Sequence, residues 1–187
     1  MILEKEIKIS LSLDEYNKVD KLFAWTKEYY QVNHYYGNEI DILSHSNTYR
    51  VREKNGIIKM QVKIPEKRQG SLRIKKEYEI EIKRVPPKIQ KEELTNLTGL
   101  YFEEDKYYIG KLLTYRKECL AFKNVEICLD MNEYLNKIDY GLEVEYKNEY
   151  PDYIIEFLEE NGIKRSEKVE GKSTRYMREL LRQKNMW

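Results

Sequence analysis

Cysteine is scarce in this sequence, with only Cys119 and Cys128 among 187 residues. Their spacing matches no thiolate metal motif, so we expect two reduced thiols rather than a disulfide or a zinc site. Long apolar runs are also missing, and the first residues lack the charged-then-apolar order of a signal peptide. These absences predict a cytoplasmic protein that does not associate with membranes.

An excess of charge of either sign is missing as well, because 34 basic residues stand against 33 acidic ones. The chain therefore lacks the overall basic surface that binds DNA or RNA, and we expect no DNA partner. No Pro/Gly/Ser-rich linker, internal repeat or low-complexity tract divides it. We predict one domain that covers residues 1–187, which is long enough to bury a sizeable core.

Charge is abundant, at 36% of residues, and it alternates with apolar residues. Glu4, Glu6 and Lys8 are spaced two apart, so an extended strand places all three on one face. The same alternation predicts further strands that are apolar on one face and ionic on the other. Their ionic faces carry Arg50 and Arg52; Lys59, Gln61 and Lys63; Glu77, Glu79 and Glu81; Glu126 and Asp130; and Glu143 and Glu145.

Two architectures fit such strands. An open antiparallel sheet could turn its charged face to water and its apolar face to helices. Alternatively, the sheet could close with its ionic face inward, and about eight strands would leave a bore for one small ligand. The open sheet is the ordinary arrangement of such strands, but the charges are sorted by sign among the strands, which argues against it because a solvated face usually mixes signs. Enclosed charges need counter-charges or a ligand, and a triphosphate carrying a divalent cation supplies both.

Capping and turn signals place the remaining elements. Ser12 and Glu15 form a capping box, and Asn55-Gly56 is a strong hairpin turn. We expect helices over 12–25, 88–97, 151–161 and 174–183, and strands over 31–36, 72–83, 112–122, 124–130 and 142–146. A hairpin is predicted over 48–64, a loop over 66–71 and an irregular link over 134–140.

With these strands in place, the chain resembles the CYTH superfamily, the triphosphate tunnel metalloenzymes, and most closely their small stand-alone bacterial members. Glu4-Lys5-Glu6-Ile7-Lys8 matches the N-terminal acid-x-acid-x-base signature of that family. The resemblance covers residues 2 to about 178, and the other signatures follow in the family's order. These signatures are Arg50-Val51-Arg52, Met60-Gln61-Val62-Lys63, the alternation of Glu77, Glu79 and Glu81, Arg116, residues 126–130, Glu143-Val144-Glu145 and residues 172–176.

The resemblance implies an α+β fold in which an eight-stranded antiparallel β-barrel forms a tunnel and helices pack on its outside. It also implies that bases bind a triphosphate-containing small molecule while carboxylates hold Mg²⁺ or Mn²⁺, which prefer oxygen ligands. The predicted metal ligands are Glu4, Glu6, Glu126, Asp130, Glu143 and Glu145. The predicted substrate-binding residues are the arginines Arg50, Arg52, Arg116 and Arg175 and the lysines Lys8, Lys63 and Lys172.

The function that we predict is metal-dependent hydrolysis of inorganic triphosphate or of a small organic triphosphate such as thiamine triphosphate. Glu6 and Glu79 are the candidates for orienting the attacking water, and Lys8 for assisting the leaving oxygen, although phosphate binding is the simpler role of Lys8. Two alternatives stay open, a class IV type adenylate cyclase and a non-catalytic module that binds polyphosphate or nucleotide. A homodimer is compatible with the sequence.

Overall fold

Nine strands run through the residues that the computed structural model describes, which are 2–37, 41, 47–69, 72–121, 125–165 and 169–184. The side chains of residues 2–4, 68, 69 and 73 lie outside this description. The strands are β1 Ile2–Leu11, β2 Lys27–Tyr36, β3 Thr48–Lys54, β4 Ile57–Gln69, β5 Leu72–Glu81, β6 Lys88–Ile89, β7 Lys106–Ala121, β8 Val125–Tyr134 and β9 Lys137–Tyr146.

Eight of these strands close into an antiparallel barrel. Their order is β2-β3-β4-β5-β1-β9-β8-β7, and β2 pairs with β7 to complete the ring. The two-residue strand β6 pairs with β7 beside the barrel. The prediction of a closed tunnel is thereby confirmed, and the alternative of an open sheet with a solvated charged face is wrong.

Four helices lie outside the barrel in the described part of the chain: α1 Leu13–Leu22, α2 Lys91–Thr98, α3 Asp152–Glu160 and α4 Lys172–Lys184. The capping box is confirmed, since the Ser12 hydroxyl accepts from the Glu15 amide and the Glu15 carboxylate accepts from the Ser12 amide. The first helix nevertheless ends at Leu22 rather than residue 25. The second begins at Lys91 rather than residue 88, because Lys88 and Ile89 pair with β7 first.

Apolar side chains on the outer faces of the strands form the cores under these helices. One core packs α1 and α3 against β1, β8 and β9, and it includes Val19, Ile127, Val144 and Leu158. A second core packs Leu94 of α2 against β3 and β4. Because the apolar positions of each strand point outward to these cores, the alternate charged positions point into the barrel.

Two segments that were predicted to be irregular belong to strands or to a hairpin in the structure, although residues 70 and 71 of the predicted loop lie outside the described residues. Residues 66–69 continue β4, and their pairing with β5 runs to Gln69↔Leu72 through a bulge near Pro65. The expected link over 134–140 is a hairpin with a two-residue turn, in which Tyr134 pairs with Lys137. The turn residues Leu135 and Asn136 have φ of 48° and 61°, and Asn55-Gly56 turns in the same left-handed region.

Helix α4 packs against one end of the barrel. The ring of Tyr176 lies 5.7 Å from that of Tyr35 and 6.0 Å from that of Tyr134, measured between centroids. At the opposite end of α4, Gln183 Nε2 donates to the carbonyl of Leu135 at 2.7 Å. Among the described residues, no helix has both the length and the apolarity that crossing a bilayer requires.

Gly110 in β7 makes room for this helix, and replacing it tests the packing. A Cβ atom at Gly110 would lie 1.9 Å from the Tyr176 hydroxyl oxygen. We expect Gly110→Ala to lower the free energy of unfolding by about 1–3 kcal/mol because the ring must move. Urea denaturation measures this, with Gly171→Ala as the control, since a Cβ atom there meets nothing within 4 Å. Equal stability of Gly110→Ala and wild type would contradict the packing.

Candidate active site

The inward-facing side chains enclose a cavity of about 240 Å³ inside the barrel. Its lining is dominated by charge, and both signs are present in similar number. The lining bases are Lys8, Arg50, Arg52, Lys54, Lys63, Lys75, Arg116 and Lys172, and the lining acids are Glu6, Glu77, Glu79, Glu118, Glu126, Glu143 and Glu145. So many charges in a closed space are tolerable only if they pair, are hydrated or bind a ligand.

The signs are separated between the facing strands β3 and β9, whereas β1, β5 and β7 each carry both signs. In a ring of eight strands, strands four positions apart face each other, so β3 faces β9 and β4 faces β8. Strand β3 carries Arg50 and Arg52, whereas β9 carries Glu143 and Glu145. A basic wall therefore faces an acidic wall, and an anion that carries cations can contact both at once.

Three carboxylates on the acidic side converge. Glu6, Glu143 and Glu145 each offer an oxygen, and these oxygens lie within 4.8 Å of one another. Strand register explains this, because Glu6 stands directly opposite Glu145 in the pairing of β1 with β9. Oxygen ligands from two or three carboxylates suit Mg²⁺ or Mn²⁺, so this triple fits a divalent cation.

A second acidic cluster, formed by Glu118, Glu126 and Cys128, fits a hard cation less well. The Glu118 carboxylate already accepts from Lys27 Nζ at 2.6 Å and from the Tyr29 hydroxyl at 2.7 Å. Burial raises the pKa of the Cys128 thiol well above its ordinary value, so the sulfur stays protonated. Both cysteines are free, as the sequence predicts, and Cys128 faces the charged interior.

Buried ion pairs hold the site together where α4 meets the barrel. Arg116 donates to both oxygens of Asp130 at 2.7 and 2.8 Å, and to Glu143 at 2.5 Å. Lys172 at the start of α4 donates to the same two acids, at 2.6 and 2.8 Å. Burial works against the charged forms, but Arg116 and Lys172 outweigh it and lower the pKa of Asp130. The bases similarly hold the pKa of Glu143 well below its ordinary value.

Asp130 should make the stability of the protein depend on pH. Because its folded-state pKa is lowered, its contribution is complete above its ordinary pKa near 4 and is lost as the pH falls below that value. Asp130→Asn should cost about 3 kcal/mol at pH 7, since two buried bases lose their carboxylate. Urea denaturation at several values between pH 7 and 3 tests this. We expect a flatter pH profile for Asp130→Asn than for a Glu133→Gln control, and parallel profiles would contradict the assignment.

Arg52 differs from the other arginines of the cavity. Its Nε donates to Asn33 Oδ1 at 3.0 Å, and among the described side chains no carboxylate lies within ion-pair distance of it. Burial and repulsion from Arg50 and Arg116 lower its pKa to about 10. Because this desolvated guanidinium has no described counter-ion, the binding of an anion in the cavity would be strongly favourable in electrostatic free energy.

Arg50 is instead positioned by a chain of hydrogen bonds along the basic side. Its Nε donates to Gln61 Oε1 at 2.7 Å, and Gln61 Nε2 donates to Glu79 at 2.8 Å. Lys59 bonds the other oxygen of Glu79 at 2.6 Å, and these partners outweigh burial and lower the pKa of Glu79. A carboxylate with a lowered pKa is a weak base, so this geometry favours a positioning role for Glu79.

Most of the predicted site residues converge on the cavity. Those that line it are Glu6, Lys8, Arg50, Arg52, Lys63, Glu79, Arg116, Glu126, Glu143, Glu145 and Lys172. Asp130 lies behind the lining, where it holds Arg116 and Lys172. Arg175 bonds Asp139 at 2.8 and 3.0 Å and does not line the cavity. The Glu4 side chain lies outside the description, although its backbone pairs with Lys75.

Several lining residues were given no site role from the sequence, although Gln61 and Glu77 were placed on the ionic faces of their strands. They are Tyr29, Tyr35, Thr48, Lys54, Gln61, Lys75, Glu77, Glu118, Gly171 and Ser173. Most of these residues share the inward parity of assigned neighbours, as Lys54 does with Arg52, so extending each alternation by one step would have found them. Gln31 and Asn33 also face inward on β2, are buried, and have side-chain nitrogens without a described hydrogen-bond partner.

Comparison with known proteins gives one family and several similar folds. The CYTH domain family matches residues 3–176. A Hippeastrum protein, described as a candidate adenylyl cyclase with a dominant triphosphatase activity, aligns with a TM-score of 0.70 at 19% identity over 90% of this chain and 92% of its own. A candidate adenylate cyclase from Bacillus halodurans aligns with a TM-score of 0.67 at 22% identity, over 94% and 99% of the two chains. A Pyrococcus horikoshii protein aligns with a TM-score of 0.62 at 22% identity, over 97% and 99%. No curated protein matches the sequence.

Proposed function

The chain belongs to the CYTH domain family, and from this premise we propose that it is a divalent-metal-dependent triphosphatase. It hydrolyses a phosphoric anhydride bond of inorganic triphosphate, or of a small organic triphosphate such as thiamine triphosphate, inside the barrel. One observation carries the proposal. Arg52, which has no described carboxylate partner, shares a single cavity with the Glu6, Glu143 and Glu145 triple.

The basic wall binds the phosphate chain. Arg50 and Arg52 present guanidinium groups, which hold phosphate oxygens in pairs, and Lys63 adds a compact charge from β4. Arg116 and Lys172 also line the cavity, although both are partly neutralised by Asp130. We assign Asp130 to the orientation of these two bases, and Arg175 to the attachment of α4 through Asp139.

The acidic wall is assigned to the cation. Glu6, Glu143 and Glu145 would hold Mg²⁺ or Mn²⁺, and Glu126, which stands opposite Glu145 in the strand pairing, extends the same set. Glu4 stays a predicted ligand. When bound, the cation neutralises charge on the phosphate chain and polarises its P–O bonds as a Lewis acid.

The chain's own groups then have separate tasks. Glu6, 2% exposed and at the centre of the acidic side, is our choice for orienting the attacking water. Glu79 acts through Gln61 by holding Arg50 in place. The ammonium of Lys8 neutralises charge near the phosphates, and the arginines stabilise the charge that develops on the leaving diphosphate.

A substrate panel tests the function. Purified protein is incubated with inorganic triphosphate, thiamine triphosphate and ATP, each with Mg²⁺ or Mn²⁺, while released phosphate and cyclic AMP are measured. We expect metal-dependent phosphate release from at least one of them. The triphosphatase activity described for the Hippeastrum protein supports this choice, although at 19% identity the likeness concerns the fold.

The other outcomes separate the alternatives. Cyclic AMP and diphosphate from ATP, without phosphate release, would favour a cyclase, the activity for which the Bacillus halodurans protein is a candidate. Binding of triphosphate without turnover would favour a non-catalytic module. Either result would refute the proposed hydrolysis. The single domain, the cytoplasmic location and a homodimer stay predictions from the sequence.

A further inference from the structure

Lys8 occupies the space in which the proposed function requires a cation. Its Nζ lies 2.8 Å from Glu6 Oε2 and 2.6 Å from Glu143 Oε1, two of the three carboxylates in the triple. An ammonium at these distances already satisfies the oxygens that a metal ion would use. A divalent cation held by the same oxygens would be strongly repelled by it.

Three other bases lie near the triple. Lys75 Nζ lies 3.9 Å from Glu6 Oε1, at the limit of ion-pair distance and farther than Lys8 from the converging oxygens. Arg116 and Lys172 also contact Glu143, but both are anchored to Asp130, which lies behind the cavity wall. Lys8 has no such second anchor among the described side chains, because its ion pairs are with Glu6 and Glu143 alone. Lys8 is therefore the base that can leave the triple without abandoning another buried carboxylate.

The cavity has space into which the Lys8 side chain can move. Its flexible side chain lines the same 240 Å³ space as Arg50 and Arg52, where the proposed function places the phosphate chain. An ammonium that left the carboxylates would add its charge to the anion site at the moment when the cation occupied its former place. Cation binding and anion binding would then strengthen each other, and such coupling is reciprocal.

We propose that Lys8 is a tethered counter-ion that fills the cation position of the metal-free tunnel and moves into the anion site when a divalent cation binds. This inference rests on the proposed function, because it assumes that the triple binds the cation. It assigns Lys8 a competitive role toward the metal, in addition to the phosphate contact that the sequence predicts.

Lys8→Met tests the competition, with Mn²⁺ alone as the probe and no substrate present. Methionine keeps the length of the side chain but removes the charge. We expect isothermal titration calorimetry to give about tenfold tighter Mn²⁺ binding, because the carboxylates lose their competitor. We also expect metal-free Lys8→Met to melt at a lower temperature than wild type and to gain more from Mn²⁺, since binding stabilises by mass action.

Three further variants complete the test. Lys8→Arg retains the charge and should bind Mn²⁺ within about threefold of wild type. Lys8→Gln also removes the charge and should show the same gain in Mn²⁺ affinity as Lys8→Met, which covers the case in which Lys8→Met folds poorly. Lys59→Met removes a lysine from the Glu79 ion pair, away from the triple, and should leave Mn²⁺ affinity unchanged. Tighter Mn²⁺ binding by both methionine variants would mean that the gain comes from the lower net charge of the protein, and this would overturn the inference.

The remaining outcomes separate the inference from the function on which it rests. Equal or weaker Mn²⁺ binding by Lys8→Met, beside clear binding by wild type, would mean that the ammonium organises the carboxylates instead of competing for them. The inference would then fail while the metal site survived. An absence of Mn²⁺ binding in every variant would refute the metal-dependent function itself.

Discussion

Glu6→Gln is expected to lower kcat/KM for inorganic triphosphate by at least about 1000-fold, the scale of losing several kcal/mol of electrostatic stabilisation. Glutamine keeps the shape of the side chain and removes one of the three charges that converge in the triple. Glu6 is 2% exposed, so water cannot take the place of its carboxylate. Phosphate release measures the activity, and calorimetry with Mn²⁺ measures the site directly.

The matched control is Glu133→Gln. Glu133 also lies on a barrel strand and loses the same charge, but it is exposed on the outside. We expect it to keep the activity and the Mn²⁺ affinity of wild type. If Glu6→Gln retained more than a tenth of the activity together with normal Mn²⁺ binding, the triple would not be the cation site.

Arg52→Met should produce the second large effect, a KM for triphosphate raised by roughly 100-fold, as expected for losing a charge-assisted pair of hydrogen bonds. Removing a charged residue from a protein interior usually lowers the free energy of unfolding, but this substitution should not lower it. Arg52 is desolvated and repelled by Arg50 and Arg116, so the unliganded variant should be as stable as wild type or more stable. Steady-state kinetics and urea denaturation measure the two effects separately.

Arg116→Met provides the contrast. Arg116 is another arginine of the cavity, but it is 5% exposed and neutralises Asp130 and Glu143 through three hydrogen bonds. Its removal leaves buried carboxylates without their main partner and should cost about 3–5 kcal/mol of folding free energy. Two results would contradict the assignment of Arg52 to anion binding: a loss of stability in Arg52→Met equal to that in Arg116→Met, or an unchanged KM.

The sequence predicts the inner face of each strand well, because side-chain direction in a strand has a strict period of two. Arg50 and Arg52 face the cavity together, as do Glu143 and Glu145, and both pairs were assigned from alternation and family resemblance. Alternation alone fits an open sheet as well as a closed barrel, so closure was predicted from the sorting of charges among the strands and from the family resemblance. The sequence therefore determines which side chains of each strand face the cavity.

The alternation of side chains does not predict how far along the barrel axis a residue lies. Asp130 and Arg175 were assigned to the metal and the substrate, yet one lies behind the lining and the other bonds Asp139 near α4. Their depth depends on strand register and on where α4 docks, which arise only when the barrel closes. The same limit explains why Glu118 and Lys54 were missed, since both stand one step beyond the recognised signatures.

Turn chemistry explains the wrong local predictions. The β3–β4 turn carries Asn-Gly and was identified, whereas the β8–β9 turn places Leu135 at φ 48° without glycine or proline to signal it. Residues 66–69 are charged and polar without clear alternation, so they resemble a loop. Pairing with β5 nevertheless extends β4 through them, because a neighbouring strand satisfies their backbone groups.

The position of β1 between β5 and β9 has a consequence for biosynthesis. Strand β1 is made before β5 and can pair with it once β5 is translated, but its other edge stays unpaired until β9 has been translated. During that interval, Glu6 and Lys8 belong to an incomplete sheet whose ionic face is open to water, which discourages the exposed edge from pairing with other chains. The charged lining of the cavity is thus complete only after Glu143, Glu145 and Lys172 have been made, more than a hundred positions after Glu6 and Lys8.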